Sequence, residues 1–119
     1  MQRSIVYGKN DRIVLMAEKA GRKNSSRFWL AFAKELGRPR RIRAIVNLGK
    51  ISKLTKSGET IIIAGKLLGY GRMAHPVKIS CVYASPSAMR KLVAAGGEYI
   101  PIDRMIQDNP KGTKLRLIR

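Results

Sequence analysis

The residues of this chain whose types and spacing could do chemistry are cations. Arg38, Arg40, Arg41 and Arg43 crowd around Pro39, and Lys50, Lys53 and Lys56 follow at intervals of three. Between Glu35 and Glu98 stands one acid, Glu59, against twelve Lys and Arg residues. A planar guanidinium pairs with phosphate oxygens two at a time and stacks on bases, so the chemistry on offer is recognition of a polyanion. A surface run that only keeps a protein in solution interleaves both signs, and here the acids are missing. Contacts to phosphate carry no sequence information, so base-specific reading does not follow.

The other reactive types are sparse. His75 is the only histidine and Cys81 the only thiol. A Cys–His pair is a route to nucleophilic catalysis. Cys81, however, alternates with Val77 and Ile79, where a small buried hydrophobe is expected. His75, in a loop beside Arg72 and before Pro76, reads as a contact to a phosphate or base edge. The few acids form no pair at usable spacing, so acid–base catalysis has no team. The segment Gly65-Lys66-Leu67-Leu68-Gly69-Tyr70-Gly71 superficially suggests a nucleotide loop. A P-loop needs four residues between its glycines, then Lys and Ser or Thr. Six separate Gly58 from Gly65-Lys66, and Leu67 follows. These glycines read instead as positions that admit positive φ, or close approach of RNA or of neighbouring backbone. Tyr70, set between glycines near Arg72, could stack on an exposed base.

The elements that must position these groups follow from periodicity. Asn10 or Asp11 caps a helix running to about Ala20, with Gly21 as its stop and Ile13, Ala17 and Ala20 on one face. Ser25-Ser26 opens a second helix, whose Phe28, Phe32 and Leu36 repeat at four, with Trp29 and Ala33 beside them. Gly37 and Pro39 end it. The spacing thus predicts an N-terminal helical hairpin over 1–37 and an α/β core over 38–119, one structural domain overall.

Ala44 to Leu48 reads as a strand and Gly49 to Leu54 as a short helix. On that helix Lys50, Lys53 and Lys56 share one side, while Ile51 and Leu54 turn inward. Its N-terminus and Gly49 offer a phosphate a second contact. Glu59 to Ala64 is a buried β-branched strand. A glycine-punctuated loop then carries a brief strand at Lys66-Leu67-Leu68. Val77, Ile79, Cys81 and Tyr83 form the inward side of an alternating strand. Ser85-Pro86 starts a helix with Met89, Leu92 and Val93 facing the core. Tyr99 to Ile102 is a strand, Asp103 caps one helical turn, Asn109-Pro110-Lys111-Gly112 turns, and Leu115, Leu117 and Ile118 close in a strand. Strands alternating with short helices indicate an α/β fold.

Composition bounds the function. The 119 residues, 45% of them hydrophobic, suffice for one core. Formal charge is +18, with a pI near 11.1. Self-repulsion on that scale is relieved by a partner of opposite sign, nucleic acid being the commonest. No apolar stretch approaches the roughly 18 residues of a membrane span, and Met1 to Tyr7 has no secretory h-region. A single cysteine excludes an intramolecular disulfide framework and a Cys-rich zinc site, which fits a cytoplasmic location. No cofactor and no small-molecule substrate is expected.

Pro39-Arg40-Arg41 with Ala44, then Val46-Asn47, Lys50-Ile51 and Leu54-Thr55-Lys56, resemble the opening signature of a known family. Gly58-Glu59-Thr60, Gly65-Lys66, Leu68-Gly69, Gly71 and His75 continue it in order. Ala95-Gly96-Gly97-Glu98, Asn109-Pro110-Lys111-Gly112 and Ile118-Arg119 close it, and Trp29 matches the helical part. The family is that of the archaeal and eukaryotic large-subunit ribosomal protein L-eighteen-e, relative of the bacterial L-fifteen. The short length looks archaeal. The resemblance implies an irregular superhelix of β-β-α turns, no catalysis, and a structural role in binding and stabilising large-subunit rRNA among neighbouring ribosomal proteins. Two positions depart from the pattern: Gly49, where the family often has a Ser-type cap, and Arg72-Met73-Ala74, in a loop that is often acidic in relatives.

The expected RNA contacts are Arg38, Arg40, Arg41, Arg43, Lys50, Lys53, Lys56, Lys66, Tyr70, Arg72 and His75, with Lys111, Lys114, Arg116 and Arg119 at the C-terminal end. The rival reading is a free nucleic-acid chaperone or architectural nucleic-acid-binding protein. An enzyme would need the metal site or carboxylate team that the sequence does not offer.

Overall fold

The run Thr60-Ile61-Ile62-Ile63-Ala64 has no polar alternation, which is the pattern of a strand covered on both faces. It forms the first part of β2 (Thr60–Leu68), the centre of a five-stranded parallel sheet in a computed structural model that describes residues 9–38 and 44–118. β3 (Lys78–Ala84) lies along one edge of β2, and β4 (Glu98–Tyr99) continues the sheet beyond β3. The other edge is shared. β5 (Leu115–Ile118) pairs with Thr60 to Ile63, and β1 (Ala44–Asn47) pairs with Gly65 to Leu68. The helices are α1 (Lys9–Asn24), α2 (Arg27–Leu36), α3 (Leu48–Leu54), α4 (Pro86–Ala94) and α5 (Ile102–Asp108). The mixed α/β class expected from the sequence is the observed one.

Each face of the sheet has its own core. Ile61, Ile63 and Leu67 of β2 pack with Val46, Ile51, Ile79, Cys81, Ala88 and Leu92, beneath α3 and α4. Ile62 and Ala64 pack with Ile13, Ala17, Trp29, Phe32, Leu36, Ile102, Met105 and Ile106, beneath α1, α2 and α5. Trp29 and Phe32 are fully buried, as their spacing required, and Trp29 meets Phe28 and Phe32 edge-on at 5.1 and 5.5 Å. The indole Nε1 donates to the Asn109 carbonyl at 2.8 Å, which ties α2 to the turn before β5. Gly112, at φ +69, lets that turn lie against α2, since a Cβ there would come within 2.9 Å of the Phe28 Cβ.

Serine caps act where the sequence places them. The Ser26 hydroxyl accepts from the Trp29 N–H at 3.3 Å, and the Ser85 hydroxyl accepts from the Ala88 N–H at 3.2 Å with Pro86 following.

Several local expectations are corrected. Gly21 does not stop α1, which continues to Asn24 and ends at Ser25 with φ 52. A Cβ on Gly21 would lie 2.7 Å from the Leu30 Cγ, so this glycine serves the close approach of α2. Gly65 belongs to β2 and not to a loop, and the expected brief strand at Lys66 is the end of β2. Gly65 sits where the partner on that edge changes from β5 to β1, and a Cβ would run into the Ala44 backbone. The register of β2 on β3 shifts between Ile63 and Lys66. Past that irregularity Tyr83 is half-exposed and not inward, while Ser80, expected outward, is buried and donates to the Ile100 carbonyl. Leu54 and Val93 face solvent, because α3 and α4 bury only the narrow stripes Leu48/Ile51 and Ala88/Leu92. Asp103 lies inside α5, after the N-cap Pro101, and its Oδ1 accepts from the Arg104 N–H.

Candidate nucleic-acid interface

β1 delivers the chain to α3, and the end of β2 delivers it to the glycine loop Gly69-Tyr70-Gly71. Parallel pairing of β1 with β2 places these two exits side by side. The backbones touch. The Gly49 N–H donates to the Tyr70 carbonyl at 3.0 Å, and a Cβ on Gly71 would sit 2.6 Å from the Gly49 Cα. Gly71 also has φ +92. Of the two roles expected for these glycines, close approach is made by neighbouring backbone. The first-turn N–H of Gly49, expected to be open to phosphate, is taken by Tyr70.

Between α3 and the loop lies a groove of about 570 Å³ lined by Asn47, Gly49, Lys50, Ser52, Lys53, Leu54, Tyr70, Gly71 and Arg72. Four residues singled out in the sequence therefore converge: Lys50, Lys53, Tyr70 and Arg72. Tyr70 is 81% exposed, more than any other large apolar side chain among the described residues. The ion pairs formed among the described residues are Arg38–Glu35, Arg104–Asp108 and Arg116–Glu59, and none involves Lys53 or Arg72.

The remaining candidates scatter. Lys56 lies beyond the C-cap Thr55, so it does not extend the row of Lys50 and Lys53 along the helix. Lys66 is exposed on β2, level with Ile45 and Tyr83 across the sheet. His75 Nε2 lies 3.0 Å from the Thr55 Oγ1. That hydroxyl already donates to the Ile51 carbonyl at 2.6 Å, so the ring nitrogen is the donor of this contact. Arg38 pairs with Glu35 at 3.4 Å. Arg116 donates to the Leu54 carbonyl at 2.7 Å and pairs with Glu59 at 3.5 Å. Glu59 also accepts from the Lys56 N–H, so the one acid of the basic stretch is engaged away from the groove. Lys111 and Lys114 are exposed near β5, Lys114 at φ 60. Arg40, Arg41, Arg43 and Arg119 lie outside the described residues.

Sequence reasoning missed Lys91. Its ammonium donates to the Gly69 carbonyl at 2.6 Å and to the Gly71 carbonyl at 2.9 Å, clamping the loop to α4. Nothing local marks it, since Lys91 and its neighbour Arg90 look like ordinary helix-surface cations. Lys19 and Lys23 also went unremarked, although with Met16, Ala20, Ile106 and Pro110 they line a second groove of about 340 Å³.

Cys81 behaves as a core residue: burial pushes its thiol up to about 12, against a smaller opposite effect of a hydrogen bond with the Tyr83 backbone. A thiol so held is a poor nucleophile. Among the described residues no group of three His, Cys, Asp or Glu side chains could hold a metal ion. No described helix is long and apolar enough to cross a membrane.

The described residues thus form a parallel α/β domain with a cationic groove whose wall carries an exposed aromatic ring. Residues 13–119 match the family described as ribosomal protein 60S L18 and 50S L18e, and the chain belongs to that family. It is similar to the large ribosomal subunit protein eL18 of Archaeoglobus fulgidus, 39% identical over 105 residues that cover 88% of each chain. The protein of the same name from Pyrobaculum aerophilum is 37% identical over 100 residues, covering 84% of this chain and 82% of that one. That from Methanoregula boonei is 37% identical over 107 residues, covering 90% and 88%.

Proposed function

We propose that this chain is a structural constituent of the large ribosomal subunit, working in the cytoplasm, that binds and stabilises rRNA through its basic surface and catalyses nothing. The observation that carries the reading is the convergence of Lys50, Lys53 and Arg72 on one groove, with no carboxylate paired to Lys53 or Arg72 among the described residues. Unpaired cations facing outward are costly in a protein already at +18, and phosphate relieves that cost. The arginines at positions 40, 41, 43 and 119, with Lys56, Lys66, His75, Lys111 and Lys114, extend the proposed surface beyond the groove. Neighbouring ribosomal proteins are the further partners. The finer architecture belongs to the same proposal: an irregular superhelix of β-β-α turns over 38–119, entered from a helical hairpin over 1–37.

The mechanism is charge neutralisation of packed rRNA segments. Each neutralised phosphate releases counterions, so Lys53 and Arg72 alone give a slope of log K on log salt of about −1.4 to −1.8. The test is a salt titration of binding to a large-subunit rRNA fragment, and an affinity independent of salt sinks the electrostatic account. Co-sedimentation addresses the rival: a ribosomal constituent stays with the large subunit through a moderate-salt gradient, whereas a free chaperone washes off.

A further inference from the structure

The loop that carries the most exposed ring among the described residues has a closely restrained backbone. Three successive carbonyls are each tied: Gly69 and Gly71 to the Lys91 ammonium, and Tyr70 to the Gly49 N–H. Gly69 is buried against the start of α4, where a Cβ would collide with Ser87. Nothing comparable restrains the Tyr70 side chain, which has no ring partner among the described residues and stands 81% exposed on the wall of the groove. A fixed backbone under an open ring is preorganised for a flat apolar partner, since little freedom remains to be lost on binding.

The partner's other properties follow from the same groove. Its volume, about 570 Å³, falls within the roughly 300–1,000 Å³ of clefts that enclose a small ligand. Lys53 and Arg72 bring positive charge to its lining together with Lys50. The Ser52 hydroxyl accepts from the Ala74 N–H at 3.0 Å, which leaves its own O–H available as a neutral donor. A flat π face joined to a phosphate is a nucleotide. In a paired helix the base faces are stacked on one another and unavailable to a side chain, so the nucleotide must be unstacked.

We infer that the groove between α3 and the glycine loop takes one extrahelical nucleotide of RNA, its base stacked on Tyr70 and its flanking phosphates held by Lys53 and Arg72, with Lys91 as a positioning residue. This rests on the reading of the chain as an rRNA binder and names what that surface grips. The predicted ligand is a bulged or looped-out base and not the backbone of a duplex.

The experiment compares two RNA hairpins in titrations with the full chain: one fully paired, and one with a single bulged adenine replaced by a fluorescent analogue. The wild type should bind the bulged hairpin more tightly and quench the analogue. Tyr70→Ala should lose the quenching and about tenfold in affinity for the bulged hairpin, leaving the paired hairpin and the salt slope unchanged because no charge is removed. Tyr70→Phe should restore both signals, since the phenyl face still stacks. Lys91→Met should weaken the quenching through the loop, with Tyr70 still present. If Tyr70→Ala binds and quenches like the wild type, or loses affinity equally for both hairpins, the inference falls while rRNA binding stands. If the wild type binds neither hairpin in a salt-dependent way, the rRNA reading itself falls.

Discussion

Arg72 and Arg116 are both exposed arginines in a chain of twenty-five basic residues, and their surroundings differ. Arg116 reaches from β5 to the end of α3, where the Leu54 carbonyl and Glu59 receive its guanidinium. Arg72 stands on the groove wall with no ion-pair partner among the described residues. The same division separates Lys91, turned onto two carbonyls, from Lys53, which lines the groove. Net charge therefore overstates the binding surface. Some cations are engaged by the fold, and others stand open on its surface.

Substitutions separate the two kinds of cation and test the contact that builds the groove. Gly71→Ala is expected to have the largest effect, because it adds a Cβ against the Gly49 backbone at a φ of +92. We expect about 2–4 kcal/mol of lost stability in urea unfolding, together with loss of RNA affinity as the groove opens. A stable variant with intact affinity would show that α3 and the loop need not touch.

Arg116→Met and Arg72→Gln form the direct pair. The first removes a charged donor from a carbonyl at a half-exposed site and should cost about 1 kcal/mol, with little change in the salt slope of RNA binding. The second should leave stability within about 0.5 kcal/mol and reduce the salt slope by about 1. If the two variants exchange these signatures, the division between fold-holding and partner-facing cations is wrong.

A change with pH, felt only in alkali, probes the core and leaves both regions alone. The Cys81 thiol is raised from 9.0 to about 12 by burial, and burial raises the Tyr99 phenol too, helped by Cys81 and Asp103. Above pH 9 the unfolded chain releases the thiol proton while the folded chain keeps it. Stability present below pH 9 should therefore fall as pH rises toward 12, with a limiting slope of about 1.4 kcal/mol per pH unit from the thiol. Cys81→Ala should flatten that part of the profile; an unchanged alkaline profile would show that the thiol is not buried in the folded state.

Much of the fold was legible where one residue type does one local job. Ser26 and Ser85 cap helices, the Asn109–Gly112 turn stands where expected, and Ile61 to Ala64 announce a strand covered twice. The glycines were harder. Gly21 and Gly65 look like punctuation in the sequence, yet each serves an approach between elements distant in space: Leu30 on one, Ala44 on the other. Leu54, Val93 and Tyr83 were expected inward, because periodicity says which side a residue takes and not how far cover extends over that side.

The candidate site divides in the same way. The basic stretch, the lone Tyr70 between glycines and the missing acids were visible residue by residue, as was the family signature. That Lys50 and Lys53 face Tyr70 and Arg72 across one groove was not, because parallel strands bring together segments about twenty residues apart. Composition alone determined a charge of +18, which a partner of opposite sign would relieve. Only the tertiary structure decided which cations remain to meet it, because a side chain's partner is set by what folds within hydrogen-bond reach and not by what precedes it in the chain.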